Sequence, residues 1–149
     1  MADVEQGPAL PPKLAEIVAE FQEASPRERL EYLINFAEQM PDLPAHLAGR
    51  RDEMEQVHEC QTPVFLYVEL EDGRTRLYFD VPRESPTVRG YAALVAEGLD
   101  GATPEEVMRV PDDLYRLLGL HEAISMLRLR GLQALVGYVK RQVLARSRS

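Results

Sequence analysis

Val64-Phe65-Leu66-Tyr67-Val68-Glu69-Leu70-Glu71-Asp72-Gly73-Arg74-Thr75-Arg76-Leu77-Tyr78-Phe79-Asp80-Val81 holds two alternating runs around one turn signal. Val64, Leu66, Val68 and Leu70 alternate with Phe65, Tyr67 and Glu69. Leu77, Phe79 and Val81 alternate with Arg76, Tyr78 and Asp80. Successive side chains of a strand point to opposite faces, so each run is a strand with one face on a core. Asp72-Gly73 tolerates positive φ at both positions and closes the runs, over 64–70 and 75–81, into an antiparallel hairpin.

Upstream, a short strand over 56–59 leads into Cys60, and Pro63 stands at the start of the next strand, where its missing N–H is tolerated. Leu14, Ile17, Val18 and Phe21 follow the spacing of an amphipathic helix that begins through Pro11-Pro12. Ser25-Pro26-Arg27-Glu28 starts a second helix, with Ser25 as cap and Glu28 completing a capping box. Leu30, Leu33, Ile34 and Ala37 form its buried stripe, and Pro41 ends it. Two prolines and a glycine make 41–52 a loop, while 1–10, without periodicity, forms a flexible arm.

Downstream the chain is helical. Ser85-Pro86 caps a helix carrying Val88, Ala92, Val95 and Leu99, which Gly98 or Gly101 ends. Thr103-Pro104-Glu105-Glu106 is another capping box, and Pro111 opens a helix over 112–118 stopped by Gly119. A long helix over about 123–145 places Ile124, Leu127, Gly131, Leu135 and Val139 on one side. Helices at both ends of a small antiparallel sheet, made of the hairpin plus a short strand, define an α+β fold in one domain over 11–146.

The 149 residues are enough to bury a core without staples, at 45% apolar and 28% charged content. No apolar run approaches the ~18 residues of a membrane helix, and the first residues lack a secretory signal. A lone thiol fits a reducing compartment, so a cytoplasmic location is expected. All 25 acidic residues lie at or before Glu122, beside 11 basic ones, for a net charge of −14 there. From Ala123 onward there are six basic residues and no acid. Such an acidic body repels phosphates, which argues against nucleic acid as a partner. The basic tail suits the end of a helix dipole or docking on an acidic protein surface.

Cys60 is the single cysteine. It cannot close an intramolecular disulfide or supply the thiolates of a zinc or iron–sulfur site alone. Three roles stay open: a buried hydrophobe, a nucleophile, or a sulfur that carries a group. Free cysteine is among the most buried residue types, but Glu59, Gln61, Thr62 and Pro63 around Cys60 read as a strand end or loop. If 57–60 is a strand, His58 and Cys60 share a face. An imidazolium, or an arginine of the last helix, would favour thiolate, and a nearby Glu59 would oppose it. His46, His58 and His121 show no ligand-like spacing, so no metal site and no cofactor is expected. A Cys–His hydrolase would need a base and an orienting group that the sequence does not place. No G-x-S-x-G, P-loop or G-x-G-x-x-G pattern occurs.

Val57-x-x-Cys60-Gln61-Thr62-x-Val64-Phe65-Leu66 resembles the V-x-G-C-Q-S-x-V-W-hydrophobic signature of SufE-like proteins, the sulfur acceptors of iron–sulfur cluster assembly. Val88-Arg89-Gly90 with Ala92 and Ala93, Gly101-x-Thr103-Pro104-Glu105-Glu106, and Ser125-x-x-Arg128-x-x-Gly131-Leu132-x-Ala134-Leu135 are similar to further motifs of that family, in the same order. The likeness spans about 10–145. Glu59 stands where the family usually has glycine, Thr62 where it has serine and Phe65 where it has tryptophan.

The resemblance implies a fold shared with IscU-type scaffolds. It also implies a sulfur-transfer accessory protein rather than an enzyme. In that role Cys60 takes persulfide sulfur from a pyridoxal-phosphate cysteine desulfurase, stimulates that enzyme, and passes the sulfur to an iron–sulfur scaffold complex. His58, Gln61 and Arg128 would form the surroundings of the cysteine loop. The competing expectation is a partner-binding regulatory module in which Cys60 only packs.

Overall fold

The computed structural model describes residues 10–148. Of the expected arm, all but Leu10 lies outside them. Helix α1, Pro12–Gln22, buries Leu14, Ile17, Val18 and Phe21. Helix α2, Pro26–Gln39, opens on the expected capping box: the Glu28 N–H donates to Ser25 Oγ at 3.2 Å, and the Ser25 N–H donates to Glu28 Oε1 at 2.8 Å.

Strands β1 (Glu55–Gln56), β2 (Phe65–Glu71) and β3 (Arg74–Asp80) form one antiparallel sheet in the order β1-β2-β3. Asp72 at φ 53° and Gly73 at φ 75° make the two-residue turn, because both central positions of that turn need positive φ. The register pairs Leu66 with Phe79 and Val68 with Leu77, which sets the apolar face against the core.

Helix α3, Pro86–Leu99, runs through the centre of the fold, with residues 90–95 all buried. Its Gly90 lies directly on the α2 backbone, where a Cβ would fall 2.0 Å from the Leu33 carbonyl oxygen. That crossing decides which face of α2 is covered. Leu33 and Ala37 are buried as expected, but Ile34 is 43% exposed, a correction to the expected stripe. Ile34 is ~100° round the helix from the Leu33 contact line and turns to solvent.

Beyond α3 come the short α4 (Pro104–Met108), capped by Thr103 and Glu106 as expected, and α5 (Leu114–Leu117). Helix α5 is a single turn rather than 112–118, because the Leu114 N–H first closes a turn onto the Pro111 carbonyl at 3.1 Å. A 3-10 turn, Leu120–Glu122, precedes α6, Met126–Ser147. The Ser125 side chain caps α6 by accepting the Arg128 N–H at 3.4 Å, so the helix begins at 126 and Ile124 falls outside it. Leu129, Leu132, Leu135, Val136, Val139 and Val143 face the core. Leu127 does not: it is 55% exposed, at the edge of the cleft that also holds Cys60 and Gly131. One hydrophobic cluster runs from Leu14 to Val143 and joins α1, the sheet, α3 and α6.

Candidate functional site

The cysteine loop is closed at its base by two fully buried valines, with the Val57 N–H donating to the Val64 carbonyl at 2.9 Å. Their burial anchors the loop, while polar neighbours keep its tip out of the core. The strand expected over 56–59 ends at Gln56 instead. The chain turns there, with the Cys60 N–H donating to the Val57 carbonyl at 3.2 Å. Strand alternation therefore does not apply at 57–60. His58 stays in the cysteine loop but is exposed and does not line the cleft beside Cys60.

Helix α6 supplies the floor of the loop. A Cβ on Gly131 would stand 2.9 Å from Cys60 Sγ and 3.3 Å from its Cα, so only glycine lets the thiol rest this close to the helix. Tyr138, seven residues on and on the same face, has its hydroxyl beside the loop at His58 and Glu59. One turn further, Gln142 Nε2 and Arg141 Nη2 hold the Glu55 carboxylate at 2.7 and 3.0 Å. The Arg141 guanidinium also lies 4.4 Å from the Tyr138 ring centroid. The segment 55–60 thus meets α6 at both ends, through the Glu55 carboxylate and through Cys60 against Gly131.

A cleft of about 250 Å³ opens beside the thiol. Cys60, Gln61 and Thr62 form one wall, Glu84 and the start of α3 a second, and Leu127, Arg128 and Gly131 of α6 the third. The Ser85 hydroxyl, expected to cap α3, makes no cap bond and is 2.8 Å from the Thr62 hydroxyl, tying the loop to α3. Of the expected site residues, the cleft brings together Cys60, Gln61 and Arg128. A larger hollow of about 400 Å³ lies between α2, β3 and α3. It holds no thiol or histidine, and at its rim Asp100 pairs with Lys13 at 3.5 Å and Arg76 at 3.3 Å. The smaller cleft, with the thiol in its wall, is therefore the candidate site. Among the described residues there is no group of three or more His, Cys, Asp and Glu able to hold a metal.

Burial pushes the Cys60 thiol up to about 11, and the neighbouring Glu59 carboxylate pushes in the same direction. At neutral pH the resting sulfur is a thiol. Burial also raises the Tyr138 hydroxyl above its ordinary range, and the nearby Glu59 carboxylate adds to this, against a lowering from the His58 backbone.

The Gly131 and Tyr138 contacts with this loop were not expected from the sequence. Gly131 left a trace, since glycine inside a helix costs roughly 1 kcal/mol relative to alanine and so marks a close approach. Tyr138 left none until Gly131 had been placed.

Residues 15–143 match the family model described as SufE, the Fe-S metabolism associated domain. The chain belongs to the SufE family. It is 45% identical over 136 residues to an uncharacterized SufE-like protein of Mycobacterium tuberculosis, covering 91% of this chain and 94% of that one. It is 26% identical to the cysteine desulfuration protein SufE of Plasmodium vivax, over 82% of this chain and 49% of that one. The solution structure of a hypothetical protein from Thermus thermophilus superposes with a TM-score of 0.84 at 41% identity, covering 95% of this chain and all of that one. The SufE signature and the cleft coincide: Cys60, Gln61 and Thr62 form its wall, and Arg128 and Gly131 of the α6 motif face them. The Val88-Arg89-Gly90 motif is architectural by contrast. Arg89 donates to the Ala37 and Val81 carbonyls at 3.0 and 2.6 Å, and Gly90 seats α2.

Proposed function

We propose that this SufE-family protein carries sulfur for iron–sulfur cluster assembly, taking it from a pyridoxal-phosphate cysteine desulfurase onto Cys60 and passing it to a scaffold complex. The observation that carries this reading is a lone thiol at the tip of a tethered loop, held against Gly131 at the edge of a polar cleft. In the loading step the Cys60 thiolate attacks the terminal sulfur of the donor cysteine persulfide. A new S–S bond forms at Cys60, the donor S–S bond breaks, and the donor cysteine leaves as thiolate. The exchange balances without an added oxidant. Arg128, across the cleft, favours the anionic forms of sulfur on both sides of the step.

Met126 and Leu127, 73% and 55% exposed at the start of α6, give a partner an apolar grip beside the thiol. Docking there stimulates the desulfurase by removing its product sulfur. The protein is a carrier rather than an enzyme, loaded and unloaded once per cycle, and a reducing cytoplasm keeps its thiol free. No helix among the described residues is long and apolar enough to cross a membrane.

The experiment is an intact mass under non-reducing conditions after incubation with desulfurase and cysteine. Wild type gains one sulfur, about 32 Da, and Cys60→Ser gains none. The packed, protonated thiol favours one other reading, a regulatory module in which Cys60 is structural. That reading predicts no adduct on wild type and full desulfurase stimulation by Cys60→Ser.

A further inference from the structure

We propose that Thr62 and Ser85 are positioning residues for sulfur transfer: the Ser85 hydroxyl exchanges between two partners, holding the Cys60 loop closed through Thr62 or capping α3 when the loop opens. The inference rests on the carrier reading above. It begins with an exception among the helix starts. Ser25, Thr103 and Ser125 stand before α2, α4 and α6 with ψ of 162°, 160° and 154°, and each side chain accepts the N–H three residues on. Ser85 holds the same place before α3, and Pro86 follows it as Pro26 follows Ser25. Yet its ψ is 69° and its side chain makes no cap bond. The hydroxyl goes to Thr62 Oγ1 instead, 2.8 Å away.

A hydroxyl can donate and accept at once, so the exclusion comes from the backbone. Reaching the extended ψ of a capping residue takes a turn of roughly 90° at Ser85, which swings its side chain away from Thr62 and toward the Val88 N–H. Both hydroxyls line the cleft that holds Cys60. The loop is anchored at Val57 and Val64 and rests on Gly131, so a bond from its tip to α3 fixes where the thiol stands. Closing the loop leaves the start of α3 uncapped. Opening it breaks one hydrogen bond and forms another, each worth roughly five-fold in an equilibrium. The two nearly cancel. The closed loop keeps Cys60 against the helix, and the cap formed on opening offsets the lost tie as the thiol leaves Gly131 for the donor sulfur.

The test uses the opposite signs of the two bonds. Iodoacetamide alkylation of the full chain at about pH 8 reads loop opening, with each variant's rate divided by its own rate when unfolded in urea. Thr62→Val keeps the shape, removes the tie and leaves the cap to form on opening, so its rate should rise roughly five-fold. Ser85→Ala removes tie and cap together and should stay within about two-fold of wild type. The double variant should fall back from the Thr62→Val rate to that of Ser85→Ala, so that losing a second hydroxyl slows the thiol. Thr62→Ser, which restores the hydroxyl, should label as wild type does. A plain tie without exchange predicts that Thr62→Val, Ser85→Ala and the double variant all accelerate equally, and that result overturns the proposal. So does a Thr62→Val rate equal to wild type.

With desulfurase and cysteine at low protein concentration, the initial rate of sulfur gain, read by intact mass, should follow the same order: roughly five-fold up in Thr62→Val and near wild type in Ser85→Ala and the double variant. Sulfur gain equal in all variants, with the alkylation order intact, overturns the positioning role. A wild type that never acquires sulfur, with the alkylation order intact, sinks the carrier reading and leaves the hydroxyl exchange standing.

Discussion

Cys60 rests in a state the fold favours and the proposed reaction does not. Its ionisation is pushed from 9.0 to about 11, first by burial and then by Glu59, so the folded protein holds the thiol proton more tightly than the unfolded chain does. Stabilisation from this source is fully present below about pH 9 and is lost as the pH rises through about 11. A shift of that size would amount to ~2.7 kcal/mol for a sealed group, and partial exposure of Cys60 to water reduces it to about 1 kcal/mol. Urea unfolding at about pH 8 and 10.5 should therefore show wild type losing about 1 kcal/mol more than Cys60→Ser between the two conditions. Equal losses would mean that the folded loop lets the thiol ionise as freely as the unfolded chain does.

At the scale of elements, two of the glycines at close approaches, Gly90 and Gly131, predict opposite outcomes. Gly90→Ala drives a Cβ into the Leu33 carbonyl, a backbone group that cannot rotate away. Helix α2 must then lift off α3, for a loss of roughly 2–4 kcal/mol in urea unfolding. Gly131→Ala meets a loop tip instead of a helix, and the ~1 kcal/mol gained in helix propensity offsets part of the strain. Unfolding stability should change by less than about 1 kcal/mol, while native thiol labelling accelerates because Cys60 is displaced. The hairpin and both capping boxes were legible because their signals are local: a period of two around Asp72-Gly73, and Ser or Thr three residues before Glu. The features that were misread depend on contacts across the fold. Strand β1 stops at Gln56 because Val57 bonds Val64, Ser85 gives up its cap to meet Thr62, and Ile34 is exposed by where Gly90 crosses α2. The cysteine itself stood out by being single, but its neighbours did not, since α6 reaches it from some seventy residues away.

Across the whole molecule, the charge asymmetry is settled internally only in part. The acidic body and basic α6 meet in Lys140–Asp112 at 2.9 Å and Arg141–Glu55 at 3.0 Å, and Arg146 lies 4.9 Å from the Tyr67 ring centroid. Arg128 and Arg130 form no salt bridge among the described residues and sit near the start of α6, where the helix dipole disfavours cations. Met126 and Leu127 are exposed beside them. An apolar pair next to unpaired cations is costly on an isolated surface and useful on one that docks, because burial supplies affinity and charge supplies orientation. Replacing both Met126 and Leu127 by serine removes no core contact, so unfolding stability should stay within about 0.5 kcal/mol of wild type. The concentration giving half-maximal desulfurase stimulation should rise about ten-fold, equivalent to ~1.4 kcal/mol of binding. Arg128→Ala should keep or slightly raise stability, by a few tenths of a kcal/mol, and reduce the salt dependence of docking. If the double serine variant stimulates the desulfurase at the wild-type concentration, the start of α6 is not the docking face, and the partner must approach the cleft over α3.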